Sequence, residues 1–241
     1  MEERGPPPLI PDTPSKKLKI YLRDTNKEMI ESWNVVFHDV RVKNLAEAHD
    51  TELIFDIAEG NVLDLSEEID ALVAPCNGTG NMSNGINNVY LQTFGARLEI
   101  DMSKRINEKH HGMLPVGRSL IISLSRYTDK FRFLIGSPIS MLPGHQESLG
   151  PFLAFKAVLE LVETYNLSIK KGGKKITSIA CPGFGVIENI PPFRSALQMR
   201  AAVDSFFGLG FAERGFKSAK DFYIFLTTIK KPFAIQTLYP P

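Results

Sequence analysis

Short apolar segments alternate with amphipathic segments along most of the chain. The apolar segments, each of strand length, are 18–22, 35–37, 52–57, 71–74, 119–124, 131–135, 176–180 and 222–227. The segments with helical spacing of apolar residues are 26–33, 86–94, 96–109, 151–165 and 192–206. Strands that alternate with helices favour a mixed, mostly parallel sheet with helices on both faces, which is a three-layer α/β/α fold.

Proline, glycine and capping residues set the predicted ends of these elements. Pro75 is expected to end the central strand, because proline has no N–H to donate to a sheet. The segment 136–138, which contains a glycine and a proline, is expected to end the very apolar strand at 131–135. Asp24 or Thr25 is placed to cap the first helix, and Gly95 to end the helix at 86–94.

Length and composition indicate the number of domains and exclude several classes of binding partner. The 241 residues suit one large α/β domain, predicted over 18–241, after a disordered tail at 1–17 that is rich in Pro, Glu and Lys. The net charge of +1 gives no reason to expect general binding to nucleic acid or to an anionic membrane. No apolar run reaches the roughly 18 residues of a membrane span, and the first residues contain no secretory apolar core.

The two cysteines, Cys76 and Cys181, form no disulfide framework and lack the clustered histidines of a zinc site. They indicate a reducing compartment, which is the cytoplasm, the nucleus or both. Each cysteine directly follows a predicted strand, so a pair of functional thiols is one interpretation. Buried packing under the loops is the interpretation that we favour, because free cysteine usually packs as a small apolar residue.

The stretch 71–95 combines a buried strand, a glycine-rich loop and a helix. Its loop contains Gly78, Gly80 and Gly85 among four asparagines. This order is typical of phosphate-binding loops, because glycine lets the backbone approach a ligand and the first N–H groups of a helix attract anions. The loop has no lysine or arginine, so main chain and amide side chains would hold any anion. The alternative is that the glycines serve only tight turns.

A second strand, loop and helix follow the same order at 176–206. Its loop, 181–189, reads Cys-Pro-Gly-Phe-Gly-Val-Ile-Glu-Asn. In α/β sheets, ligands bind beyond the carboxyl ends of parallel strands. The two loops therefore predict one ligand site between them.

The order of four segments resembles the macro domain family. They are Gly60-Asn61-Val62, the strand and loop start at 72–77, the segment 83–87, and Cys181-Pro182-Gly183-Phe184-Gly185. The resemblance covers about 18–227. It is nearest to a fungal branch named for ADP-ribose 1''-phosphate phosphatase, which shares the Asp-Thr-Asn of 24–26 and the ending of the loop helix at 90–95.

The resemblance implies a site for ADP-ribose or ADP-ribosylated molecules, with no cofactor and no metal. Asn61 and Val62 would lie at the adenine, and Asn77 at the distal ribose. Gly85, Ile86 and Asn87 would contact the ribose and the diphosphate. The second loop would enclose the diphosphate from the other side through Gly183, Phe184, Gly185, Val186 and Ile187.

Several positions depart from the family pattern. Asn61 stands where the family has an adenine-facing aspartate, and Asn87 where active members have an aspartate implicated in chemistry. An amide cannot act as a general base for an attacking water. The catalytic candidates are thus only Asn77 and Asn87, unless His145 or Glu188 supplies a base. The carboxylate of Glu188 near a diphosphate would be repulsive if it pointed inward.

Three functions follow from these observations. The first is binding of ADP-ribose or a derivative without rapid turnover. The second is an enzyme, either a phosphatase of ADP-ribose 1''-phosphate or a hydrolase of ADP-ribosyl bonds. The third is a degenerate macro fold that serves as a non-catalytic interaction module. Binding of ADP-ribose separates the first two from the third, and release of phosphate above background would support the second.

Overall fold

The computed structural model describes residues 16–38, 51–143, 148–170, 172–185 and 189–229. In these ranges the chain forms one sheet of six strands, in the spatial order β2-β1-β6-β3-β5-β4. The strands are β1 (Lys16–Asp24), β2 (Thr51–Glu59), β3 (Ile69–Asn77), β4 (Leu120–Ser123), β5 (Phe131–Ser140) and β6 (Ser178–Cys181). All neighbours are parallel except β4 and β5, which are antiparallel.

Helices cover both faces of this sheet. They are α1 (Lys27–Phe37), α2 (Gly85–Phe94), α3 (Arg97–His110), α4 (Gly150–Ser168), α5 (Pro192–Phe206) and α6 (Ala219–Thr228). One core lies between the sheet and α1, α4, α5 and α6, and a second lies between the sheet and α2 and α3. The predicted three-layer α/β/α fold with a mostly parallel sheet is therefore confirmed.

Strand β3 lies at the centre and is buried along its whole length. Ala71 and Val73 belong to the first core, whereas Leu72 and Ala74 belong to the second. Because successive side chains of a strand point to opposite faces, a strand that is covered on both faces reads as a continuous apolar run. This apolar run is the sequence feature on which the prediction of the strand rested.

The prediction that Pro75 ends this strand is wrong, because β3 continues to Asn77. Its pairing with β6 stops at Leu72, so the later residues have no strand on that side. The carbonyl of Val73 instead accepts from Tyr90 Oη at 2.9 Å, and the carbonyl of Pro75 from Asn87 Nδ2 at 2.6 Å. The N–H and C=O of one strand residue point to the same side. The missing N–H of Pro75 therefore lies on the side where β6 no longer pairs, so no strand is left there to accept a hydrogen bond.

The prediction that 136–138 ends the next strand is also wrong. β5 continues through Pro138 to Ser140 and pairs with β3 along this stretch. Its other neighbour, β4, reaches only as far as Gly136. Pro138 therefore lies beyond the last β4 partner, where a missing N–H is tolerated.

The first helix is longer than its sequence pattern predicted. The segment 35–37, interpreted as a strand, is the last turn of α1, and Val36 and Phe37 continue the buried face that begins at Met29 and Trp33. The cap is neither Asp24 nor Thr25. Asn26 Oδ1 accepts from the N–H of Glu28 at 2.9 Å and of Met29 at 3.4 Å. A three-residue apolar run cannot distinguish a strand from a helix end by itself.

The segment 222–227, predicted as the last strand, belongs to helix α6. Phe222, Phe225 and Leu226 have helical spacing and pack on the first core. Ser218 caps the helix by accepting from the N–H of Asp221 at 3.1 Å. This capping residue, which lies four residues before the apolar run, is the sequence signal that favours a helix over a strand. At the other end of the described chain, β1 begins at Lys16, and the rest of the predicted tail lies outside the described residues.

Candidate functional site

A cavity of about 410 Å³ opens at the carboxyl ends of β1, β3 and β6. Its volume lies in the range of small-molecule sites, about 300 to 1,000 Å³. The cavity begins where β3 and β6 stop pairing. Its lining consists of Arg23, Asp24, Thr25, Gly60, Asn61, Val62, Pro75, Gly85, Ile86, Val89, Ile139, Pro182, Gly183 and Gly185.

Six of the residues predicted at the site line this cavity. They come from three separate segments and are Asn61, Val62, Gly85, Ile86, Gly183 and Gly185. The two glycine-containing loops thus face each other across one space. Val186, Ile187, Glu188 and His145 lie outside the described residues.

The turn at Asn61 is organised by the side chain of this residue. Asn61 Oδ1 accepts from the N–H of Leu63 at 3.0 Å, and its main-chain oxygen accepts from Asp64 at 3.1 Å. The N–H of Gly60 donates to the main-chain oxygen of Asp24 at 3.0 Å, which joins the turn to the end of β1. No residue in the described ranges accepts from Asn61 Nδ2. That amide nitrogen is the donor that the turn leaves to a ligand.

Helix α2 points its N-terminus at the cavity. It starts at Gly85, whose φ of 54° favours glycine, and its first turn contains no acidic residue. The capping residue, Asn84, makes no side-chain hydrogen bond to the helix. The first N–H groups and the positive end of the helix dipole are therefore available to an anionic group.

Asn77 does not line the cavity, although it ends β3 only two residues beyond Pro75. Its Oδ1 accepts from Thr79 Oγ1 at 2.7 Å, from the N–H of Thr79 at 3.1 Å and from the N–H of Asn81 at 3.3 Å. The side-chain oxygen is thereby committed to the loop itself. Its Nδ2 makes no hydrogen bond within the described part of the chain.

Two of the loop glycines provide space for protein rather than for a ligand. A Cβ at Gly78 would lie 2.8 Å from the main-chain oxygen of Met141. A Cβ on Gly80, which has a φ of +73°, would lie 2.8 Å from the side chain of Met102 on α3. Of the three glycines in this loop, Gly85 is therefore the one that shapes the cavity.

Asn87 lies beneath the cavity wall and is 4% exposed. Besides the bond from its Nδ2 to Pro75, it has a buried Oδ1 with no partner among the described residues. Phe184 also lies away from the cavity. Its ring is fully buried in the first core, 5.7 Å from that of Phe155, and its carbonyl accepts from Ser195 Oγ.

Sequence reasoning missed a further wall of the cavity, which residues 23–25 form at the end of β1. Asp24 Oδ2 accepts from the N–H of Gly183 at 3.0 Å, and its Oδ1 accepts from the N–H of Asn26 at 2.9 Å. Asp24 thus connects the end of β1 to the loop that contains Gly183. The signal was its place in a polar run at the carboxyl end of a strand that is parallel to the neighbouring strands β2 and β6.

Arg23 is the positively charged residue of this wall, and its guanidinium already forms an ion pair with Asp56. The guanidinium donates to Asp56 Oδ1 and to the Asp56 main-chain oxygen, both at 2.7 Å. Burial by itself would raise the pKa of Asp56, but the hydrogen bonds and charges of Arg23 and Lys19 together outweigh this, so the pKa is lowered. The pair reduces the attraction that Arg23 offers to an anionic ligand.

Both cysteines are buried, and burial raises the pKa of the Cys181 thiol well above its ordinary value. The packing interpretation of this thiol agrees with that environment. Within the described ranges no three His, Cys, Asp or Glu side chains are grouped so that they could hold a metal ion. None of the helices described is both long enough and apolar enough to span a membrane.

No known family profile and no curated protein matches the chain. Among solved structures, it is similar to a macrodomain of Oceanobacillus iheyensis with ADP, with a TM-score of 0.48, 20% identity and coverage of 63% of this chain and 75% of that one. The macrodomain of Mycobacterium tuberculosis DarG is similar with a TM-score of 0.47 and 15% identity, over 61% of this chain and 88% of that one. A Trypanosoma brucei macrodomain is similar with a TM-score of 0.43 and 16% identity, over 61% of this chain and 54% of that one.

Proposed function

We propose that this protein binds ADP-ribose or a derivative of it in the cavity, without rapid turnover. The observation that carries the proposal is that three separate segments line one cavity: the turn at 60–62, the start of α2 and the loop at 182–185. These are the segments to which the macro domain resemblance assigns the adenine and the two sides of the diphosphate. Their meeting in space is independent of that resemblance.

The cavity provides main-chain donors for phosphates. On one side lie the first N–H groups of α2 at Gly85 and Ile86, and on the other lies the backbone of Gly183 and Gly185. The N–H of Gly183 is already taken by Asp24, whose carboxylate also faces a bound anion. We therefore expect binding of moderate strength.

The cavity offers little support for catalysis. The side chain of Asn87 serves β3 through its bond to Pro75, and an amide cannot take a proton from water. Of the described lining residues, Arg23 and Asp24 are the ones that carry charge, and both Asp24 oxygens already accept backbone N–H bonds. Activity as a phosphatase of ADP-ribose 1''-phosphate or as an ADP-ribosyl hydrolase, as in the fungal branch, remains the alternative.

A cavity-filling variant tests the proposal. Val89 lines the cavity from α2, whereas Gln92 lies on the exposed face of the same helix. Titration calorimetry with ADP-ribose should give binding for the unchanged protein and for Gln92→Phe, and none for Val89→Phe. Equal binding by both variants would place the site elsewhere. No binding by the unchanged protein would favour the interaction module, and release of phosphate from ADP-ribose 1''-phosphate would favour the enzyme.

A further inference from the structure

The loop that joins α4 to β6 lies at the edge of the sheet opposite the cavity. It leads into the amino end of β6, whereas the cavity opens at the carboxyl ends of the parallel strands. Lys170, Lys174 and Lys175 of this loop are exposed and form what we call the lysine cluster. Leu167, in the last turn of α4, is 71% exposed, more than any other large apolar residue that the structure describes. Positive charge and apolar surface thus occur together at this edge.

The side chain of Asn166 fixes the position of the end of α4. Its Nδ2 donates to the main-chain oxygen of Ile176 at 2.7 Å, and its Oδ1 accepts from the N–H of Ile176 at 2.7 Å. Leu167 follows Asn166 in the chain, and Lys175 precedes Ile176. The exposed leucine is therefore held close to the lysine cluster.

Arg132, the second residue of β5, fixes the main chain of the lysine cluster. Its guanidinium donates to the main-chain oxygen of Lys174 at 2.7 Å and to that of Lys175 at 2.9 Å. The N–H of Gly173 donates to the main-chain oxygen of Lys170 at 2.9 Å, which closes a turn between the first lysine and the other two. The lysines thus extend from a hydrogen-bonded loop, so less conformational entropy is lost when they bind a partner.

The charges of the lysine cluster are largely available to a partner. Lys170 and Lys175 pair with no carboxylate in the part of the chain that the structure describes. Lys174 approaches Glu68 and Asp70, but at the long distance of 3.9 Å to each. Ion pairs of an exposed lysine contribute little. Although the whole chain has a net charge of only +1, this edge therefore keeps a local positive charge.

We propose that the lysine cluster and Leu167 dock the protein on an anionic membrane surface. Anionic headgroups attract lysine side chains, and a leucine at the same edge is removed from water among the headgroups. The phosphate backbone of a nucleic acid would attract the same lysines, but it offers no apolar partner to Leu167. The cavity, at the opposite edge of the sheet, would stay open to a ligand, so the inference does not depend on the proposed function.

A purely structural role for the lysines predicts a different result. Cations are favoured near the C-terminus of a helix, where the dipole is negative, and α4 ends beside the lysine cluster. If the lysines served only this end of the helix, their loss would lower the stability slightly, and the unchanged protein would bind no vesicle.

Co-sedimentation of the full chain with lipid vesicles tests the proposal. We expect binding to phosphatidylcholine vesicles that contain about 30% phosphatidylserine, none to pure phosphatidylcholine, and loss of binding in about 0.5 M salt. Lys170→Gln combined with Lys175→Gln should weaken binding about tenfold or more, because each lysine near an anionic surface contributes about fivefold.

Lys104→Gln combined with Lys109→Gln is the matched control. It removes the same charge from exposed positions of α3, which packs beside Gly80, beyond the carboxyl end of β3. Because these lysines lie away from the lysine cluster, we expect binding to change by less than about twofold.

Leu167→Gln tests the apolar part of the surface. Glutamine has nearly the same helix propensity as leucine, and the position is exposed, so the fold is retained. We expect this variant to bind anionic vesicles about fivefold more weakly, since the burial of the leucine is lost.

Three results would overturn the inference. The first is failure of the unchanged protein to bind the anionic vesicles, and the second is equal binding by the two lysine double variants. The third is vesicle binding that Leu167→Gln leaves unchanged, together with tighter binding of a short RNA duplex through the same lysines, which would assign the cluster to a phosphate backbone. Calorimetry with ADP-ribose decides the proposed function separately, because the cavity lies at the other edge.

Discussion

The amide nitrogen of Asn87 lies 2.6 Å from the main-chain oxygen of Pro75, to which it donates a hydrogen bond. This bond fills the place of a ladder partner on the side of β3 that β6 has left. Asn87 is also the residue at which the macro domain resemblance expects a catalytic aspartate. A residue with a proline carbonyl as its partner needs a donor, which an ionised carboxylate lacks.

Replacement of Asn87 by aspartate should therefore destabilise the protein and create no activity. The carboxylate would face the carbonyl of Pro75 and leave it unpaired, at a cost of about 1 to 3 kcal/mol in the free energy of unfolding. Asn88→Asp is the matched control, because it makes the same change on the same helix turn and gains the same favourable interaction with the helix dipole.

Urea denaturation of both variants at neutral pH measures the difference. A loss for Asn87→Asp with none for Asn88→Asp would assign the cost to the bond with Pro75. Equal stability of the two variants would show that this bond contributes nothing. Release of phosphate from ADP-ribose 1''-phosphate by Asn87→Asp would show that position 87 can serve catalysis after all.

Tyr90 fixes the neighbouring carbonyl of β3 in the same way. Its hydroxyl donates to the oxygen of Val73 at 2.9 Å, and burial raises the pKa of this phenol well above its ordinary value. Tyr90→Phe keeps the ring and leaves the carbonyl unpaired, so we expect a loss of about 1 kcal/mol in the free energy of unfolding. The measurement is again urea denaturation.

Tyr127→Phe provides the comparison for this change. The Tyr127 hydroxyl donates to Asp101 at 2.6 Å at a half-buried position, where solvent can replace the lost partner. We expect Tyr127→Phe to cost less than Tyr90→Phe. A larger cost at Tyr127 would contradict the view that the end of β3 depends on side chains from α2.

The sequence predicted the layers of this fold better than the ends of its elements. Long periodic segments such as α4 and α5 were predicted correctly because their apolar spacing extends over several turns. The errors at Pro75 and Pro138 share one cause. The effect of a proline depends on whether a neighbouring strand is present beside it, and the sequence does not contain that information.

In the candidate site as well, the sequence predicted features that depend on neighbouring residues and missed a contact between residues that are far apart in the chain. The loops at Gly85 and Gly183 could be identified because each lies in a local strand, loop and helix pattern. The contact of Asp24 with Gly183 joins residues that are 159 positions apart, so no local pattern reports it. Asn77, which was predicted at the ligand, does not line the cavity, and its side-chain oxygen instead accepts from Thr79 within its own loop.

Asp70 gives the protein a predictable dependence on pH. It lies at the start of β3 and accepts from the N–H of Thr177 at 2.7 Å and from Arg132 at 2.8 Å. Burial alone would raise the pKa of Asp70, but the hydrogen bonds from Thr177 and Arg132 and the charge of Arg132 together lower it below its ordinary value of 3.8. Because the folded pKa is the lower one, this stabilisation is present above pH 3.8 and is lost as the pH falls through the folded pKa.

Asp70→Asn should remove that dependence. Near neutral pH we expect it to lower the free energy of unfolding by about 2 to 3 kcal/mol, since it leaves Arg132 and the backbone of Thr177 with a weaker acceptor. The difference from the unchanged protein should shrink at about pH 3, below the ordinary pKa of 3.8, because the carboxyl of the unfolded chain is then mostly protonated and folding has to release that proton. Asp64→Asn, at an exposed position, should show no such difference at either pH. If the difference in the free energy of unfolding between Asp70→Asn and the unchanged protein were the same at both pH values, the carboxylate charge would not be what stabilises this end of the sheet.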